Sequence, residues 1–340
     1  MPLLSRRFRP AARPTQRGQV LPLFALFLVV LLGMAALVLD MGHWMFLKRS
    51  AQNDADAIAL AAAAALPQNE AAAGQAASEY HDRNAPEMDY ELRFFESGVV
   101  GRAVEVHVTT AAETTFARLF GIDKVDVGAK ATARIGSYTA WAPRLLPWAI
   151  DDDSFAFDTP MTVKVRPGGQ VSPGEFGAVD LIIDDPKKGC ELASGANDYR
   201  NVIIEAVPAC AISIGGDIEQ EPGNMAMTGK AVADRGAIQG FNPYDVLIPL
   251  GDDRYGLRDV HHPNVGVLPV IEQWVNGNSE PVTVVQFAWF VITGYSKDEV
   301  SGVFVRVMAG SGATCTGLPS DACPIGEFDP DGISAVQLIG

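Results

Sequence analysis

Histidine is scarce, five residues in 340; none stands at finger spacing from the four cysteines, and no CxxC pair occurs. A tetrahedral Cys/His zinc site is therefore disfavoured. Also missing are Gly-x-Ser-x-Gly, a phosphate-binding loop, a dinucleotide fingerprint and His-Glu-x-x-His. Without them the residue-level grounds for catalysis are gone, and the sequence predicts no enzyme, no cofactor and no metal. Acid is missing from the first 17 residues, which hold Arg6, Arg7, Arg9, Arg13 and Arg17; the other 21 basic side chains face all 41 acids. A body this acidic repels polyphosphate, so no nucleic-acid partner is expected.

Charge of either sign is missing from Val20 to Leu39, "VLPLFALFLVVLLGMAALVL". About twenty apolar residues, each rising ~1.5 Å, cross a hydrocarbon core of about 30 Å, which predicts one transmembrane helix. Arginines before the span and none directly after it put the N-terminus in the cytoplasm and the chain beyond residue 40 outside, single-pass in a cell membrane. Two processing readings compete. "GMA", Gly33 to Ala35, has the small-x-small form of a signal-peptide cleavage site, but apolar residues continue past it. A prepilin leader would end at Gly18, yet Leu23 stands where that family usually has glutamate.

Outside the cytoplasm an even cysteine count reads as disulfides. Three connectivities are open for Cys190, Cys210, Cys315 and Cys323, and loop closure favours Cys190 with Cys210 and Cys315 with Cys323.

After the span, Ala51, Ala55, Ile58, Ala59 and Ala62 recur at helical steps, opposite Lys48, Arg49, Gln52, Asn53 and Asp56. Alanine favours helix and Pro67 stops it, so span and stem form one rod over 20–66. Trp44 is an interfacial anchor or a packing aromatic. A second alanine-rich helix is expected from an Asn69 cap to the residue before Pro86. "MDYELRFF" and "RAVEVHVTT" read as strands, "ETTFARLFG" as a short helix over Glu113–Phe120, and "KVDVGAKATARI" as a further strand. Beyond Ser137, "MTVKVRP", "GAVDLIID", "NVIIEAV", "VLIPL", "VGVLPVIEQWV", "PVTVVQFAWFVITGY" and "VSGVFVRVMA" read as strands of an antiparallel body, with "GKAVADR" as a helix. The closing "EFDPDGISAVQLIG" has no predicted partner.

The segment "RGQVLPLFALFLVVLLGMAALVLDMGHWMFLKRSAQNDADAIALAAA" resembles the N-terminal part of the Flp pilus-assembly TadE/TadG-like proteins. The resemblance rests on an Arg-Gly entry, an Asp-x-Gly exit, a basic pair and Gln-x-x-Ala-Asp-Ala. Arg17, Gly18, Asp40, Gly42, Lys48, Arg49, Gln52, Ala55, Asp56 and Ala57 hold those positions. Looser similarity continues through "FARLFGIDKVDVGAKATARIG" and "VVQFAWFVITGY". The resemblance implies a membrane-anchored component of a tight-adherence pilus or secretion apparatus. Its partners would be other pilus-assembly or envelope proteins, with the oligomeric state left open. The residue pattern itself makes Ala51, Ala55, Ile58, Ala59 and Ala62 the expected helix-docking face for them. Longer members carry an adhesive metal site beginning Asp-x-Ser-x-Ser; "DDDSFAF" here lacks the second serine.

The expected fold is α+β and membrane-anchored: a basic tail (1–19), a transmembrane helix (20–39), a stem helix (40–66), a small helix-and-sheet unit (67–136) and a mainly antiparallel β-rich extracytoplasmic domain (137–340). Remaining polar strings, "RDVHHPN" with Asp259, His261 and His262, "DDDS" and "DPDG", read as loops and acid-rich turns. The alternative function is a tethered ligand- or carbohydrate-binding module, which requires Trp274, Phe287, Trp289 and Tyr295 to line a pocket instead of filling a core. A hydrolase would need Asp259, His261 or His262 to meet a nucleophile.

Overall fold

The computed structural model describes residues 20–97, 101–154, 156–164, 177–185, 187, 189–193, 195–205, 207–221, 227–251, 254–275, 280–297, 299–309, 313–320 and 322–339. The basic tail, with Arg17 and Gly18, lies outside these residues.

One helix, α1 (Val20–Ala65), runs without a break for 46 residues, about 69 Å at ~1.5 Å per residue. Its halves have opposite surroundings. From Val20 to Leu39 the side chains are exposed apart from Ala36. From Ala51 onward one face is fully buried, because alanine leaves room for backbone to approach closely. A second helix, α2 (Glu70–Asn84), folds back beside it, and the Asn69 side chain accepts the Ala72 N–H at 2.8 Å, as an N-cap should.

Under these helices lie β1 (Asp89–Ser97), β2 (Gly101–Glu113) and β3 (Lys124–Ser137), paired antiparallel in that order. Period-two alternation sends Val104, Val106 and Val108 of β2 and Ala129, Ala131, Ala133 and Ile135 of β3 into one core with Ala51, Ala55, Ile58, Ala59 and Ala62. Small residues on both layers let helix and sheet lie close together.

The sheet continues past β3. The strand Ser334–Leu338 pairs antiparallel with β3 and parallel with Glu299–Ala309, joining the N-terminal layer to the larger β-body. It is the partner that the closing segment lacked in the sequence reading. Thirteen of the described strands share this sheet, mostly antiparallel. At its centre Pro281–Tyr295 pairs with Val265–Ile271 and with Glu299–Ala309. Phe287, Trp289 and Val291 enter one core, and Ala288, Phe290 and Ile292 the other. Burial on both faces explains a nearly unbroken apolar run too short to be a span.

Three local expectations are corrected. "NVIIEAV" is not a strand: Gly195–Ile203 is a helix that buries Tyr199, Val202 and Ile203 at helical spacing, a period that starts upstream of the β-branched run. "GAVDLIID" is two strands broken at Leu181; Gly177–Asp180 joins the large sheet and Ile182–Asp185 pairs with Gly189–Leu192. "ETTFARLFG" is a 3-10 turn over Ala117–Phe120 only, with Glu113 still in β2. Disulfides join Cys190 to Cys210 and Cys315 to Cys323.

Candidate functional site

The polar residues of α1 meet the sheet through three side chains spaced along the helix. Asp40, buried, lies roughly three turns before Ala51 and so shares its face. Its carboxylate accepts the N–H groups of Thr115 at 3.0 Å, Phe116 at 2.9 Å and Ala117 at 2.8 Å. These amides open the 3-10 turn and have no intrahelical acceptor, so an anionic side chain from another element fills the capping role. The loop is closed at its base by Thr114, whose N–H donates to Asp123 O at 3.1 Å and whose hydroxyl donates to Ile122 O.

About two and three helical turns further out, α1 seals a strand edge. Where Ser334–Leu338 stops, β3 would present bare carbonyls, the usual template for adding a foreign strand. Ile339 N–H takes Thr132 O at 2.9 Å, Gln52 Nε2 donates to Lys130 O at 3.0 Å, and Lys48 Nζ donates to Gly128 O. Asp56 Oδ1 accepts a second Gln52 N–H at 2.7 Å and so holds the amide toward the edge. Gly42 is exposed, and a Cβ there would meet nothing within 4 Å, so nothing within the chain requires the glycine.

The stem face Ala51, Ala55, Ile58, Ala59 and Ala62 is wholly buried on this chain's own β2, β3 and α2. The close approach that its small residues permit is thus spent inside the molecule, and α1 stays exposed along its apolar half, 20–39. There a crevice of about 780 Å3, almost entirely apolar, separates the helix from the Thr114–Asp123 loop. Leu119 and Phe120 at the loop tip are 81% and 86% exposed. Sequence reasoning missed this loop, although Phe116, Leu119, Phe120 and Ile122, apolar residues in a strand connection, were its visible signal.

The remaining candidates resolve locally. Asp259 Oδ1 accepts the His261 N–H at 2.8 Å, while the His262 ring stacks on Phe241. Asp152 Oδ1 accepts from Gln286 Nε2 at 2.9 Å. Asp329 Oδ1 accepts the Asp331 N–H, and Asp331 pairs with Arg306 at 3.1 Å. Among the described residues no group of three or more His, Cys, Asp or Glu could hold a metal ion. Of the four aromatics, Phe287 and Trp289 are core residues, the Trp274 ring lies over Gly177, and the Tyr295 hydroxyl donates to Ala237 O. Among the described residues the buried Trp289 indole N–H has no acceptor, and it lies beside a crevice of about 520 Å3 that Trp141 and His261 also line.

A second buried polar cluster has a structural character. Arg144 and Arg235, with side chains 8% and 2% exposed, share the Glu205 carboxylate at 3.0 and 2.9 Å. Both also donate to the Val265 carbonyl, so the guanidinium groups tie three segments together.

By length and composition α1 is able to cross a membrane. The chain matches no curated protein and no solved structure. Residues 18–65, the segment that supplies Asp40, Lys48 and Gln52, match the Tad family model of Flp pilus-assembly TadE/G-like proteins, so the helix region of this chain is similar to that family.

Proposed function

We propose that this chain is a single-pass structural component of the cell envelope that assists Flp, or tight-adherence, pilus assembly or anchoring. Its N-terminus is cytoplasmic and residues beyond about 40 are extracytoplasmic. The observation that carries the reading is the coincidence of the family match with the mechanical part of the molecule. The matched residues form both the exposed apolar helix and the side chains that fasten it to the sheet. An anchor coupled so closely to its body suits a part that resists load. Two disulfides agree with an oxidising compartment.

Deleting the gene and counting surface pili tests the assignment. Loss of assembled pili, restored by the intact chain, is expected; unchanged pilus number and adhesion would remove the pilus role.

A tethered ligand- or carbohydrate-binding module is the second reading, favoured by the Trp289 N–H at its crevice, which has no acceptor among the described residues. Titrating the purified chain with cell-wall saccharides while following tryptophan emission separates the two, since only the second reading expects a saturable change.

A further inference from the structure

We infer that the Thr114–Asp123 loop is a second membrane contact, a foot that inserts Leu119, Phe120 and Ile122 into the outer leaflet beside α1, with lipid acyl chains filling the crevice between them. This rests on the reading of residues 20–39 as a membrane span.

Position argues for it first. The crevice follows α1 from Val29 to Trp44, and its part within the charge-free run, from Val29 to the end of that run at Leu39, covers about 15 Å at ~1.5 Å per residue, close to half of a hydrocarbon core of about 30 Å. β3 rises along α1, since Lys48 reaches Gly128 and Gln52 reaches Lys130. The loop preceding β3 therefore points back along the span, and with the span in a bilayer its tip lies among acyl chains.

Chemistry agrees. Leu119, Phe120 and Ile122 are exposed, and the α1 side of the crevice is apolar apart from Trp44 and from Asp40, whose carboxylate is taken by the loop amides. Charged groups stand at the base: Arg118 pairs with Asp123 at 3.3 Å and Lys124 with Glu113 at 3.8 Å, where headgroups and water begin.

The backbone supplies the strongest argument. Irregular chain enters hydrocarbon only if its polar groups are already bonded. In this loop the amides of Thr114, Thr115, Phe116, Ala117, Leu119, Gly121 and Ile122 all donate within the protein, three of them to Asp40. Gly121, at φ +81°, permits the tight return. Two attachments, helix and foot, would also fix the tilt and rotation of the body against the membrane, which one helix alone leaves free.

The experiment reconstitutes the purified full chain in phosphatidylcholine vesicles with and without bromine on the acyl chains. It follows the emission added by Phe120→Trp, by Leu28→Trp in the span and by Ile248→Trp on the β-body. The expected result is that the Phe120→Trp and Leu28→Trp emissions lose most of their intensity to bromine and resist aqueous iodide, while Ile248→Trp does the reverse. Quenching of Leu28→Trp without quenching of Phe120→Trp overturns the foot and leaves the anchor standing. Failure of both overturns the anchor itself. Shielding of Phe120→Trp from both reagents that vanishes on dilution into more lipid would identify a second copy as the occupant and overturn the lipid assignment.

Discussion

The Asp40 carboxylate accepts the Phe116 amide at 2.9 Å across 76 residues of chain, and so fixes the outer end of the apolar helix to the loop that joins β2 and β3. Thr115 and Ala117 donate to the same carboxylate. Asp40→Asn keeps the shape but removes the charge and turns one acceptor into a donor. Hydrogen bonds to a charged acceptor are stronger than those to a neutral amide, so the loop should open more readily. Hydrogen exchange of the Thr115 to Ala117 amides should accelerate by on the order of tenfold, while exchange in β2 stays unchanged.

The stem packs by closeness. Ala55 has no exposed surface and faces the sheet, so Ala55→Leu forces helix and strands apart and should cost about 1–3 kcal/mol. Asn53→Leu, on the exposed side of the same helix, should cost little. Denaturant midpoints of the two variants measure the contrast.

Glu205 neutralises two buried guanidinium groups. Burial lowers the Arg235 pKa to about 10 against the opposing charge of Glu205, and the group remains protonated at neutral pH. Glu205→Gln leaves Arg235 with hydrogen bonds but without this counter-charge, and leaves Arg144 the charge of Asp259. Breaking a fully buried pair costs ~3–5 kcal/mol; Glu205 is 39% exposed, which screens the effect to about 1–2 kcal/mol. Chemical denaturation at pH 7 reads the loss.

Asp180 gives the pH signature. Burial, then a hydrogen bond and repulsion from Glu221, push its pKa up to about 8. The folded chain therefore holds a proton that the unfolded chain has released above pH ~4, and stability must fall as pH rises from ~4 to about 8, then level off. Asp180→Asn should flatten the denaturant midpoint across that window. An unchanged slope in the variant would assign the dependence to other groups.

Much of this architecture is legible in the sequence because its signals are strong and local. The charge-free run to Leu39 and the alanine period from Ala51 are helix as expected, and the Asn69 cap and the alternation in β3 also read correctly. Failures occur where tertiary contacts decide. Asn201 to Val207 looks extended because Val202, Ile203 and Ile204 are β-branched, yet Tyr199 begins a helical face one turn earlier. The Ala117 turn stays short because Asp40, remote in sequence, takes its first amides. Gln52 and Lys48 read as a solvated face, and only the register of β3 reveals that they close a strand edge. The site is thus half visible: the residues stand out, but their acceptors do not.

The account depends most on α1 crossing a membrane with the β-body outside. Every cysteine among the described residues is in a disulfide, so an introduced thiol reports alone. Ser5→Cys and Lys230→Cys variants, treated with a membrane-impermeant maleimide in intact and permeabilised cells, measure the topology directly. Labelling of Lys230→Cys once its compartment is reached, with Ser5→Cys protected until the inner membrane is broken, is the predicted result. Labelling of Ser5→Cys before the inner membrane is broken, or a β-body recovered free of the membrane, would contradict it.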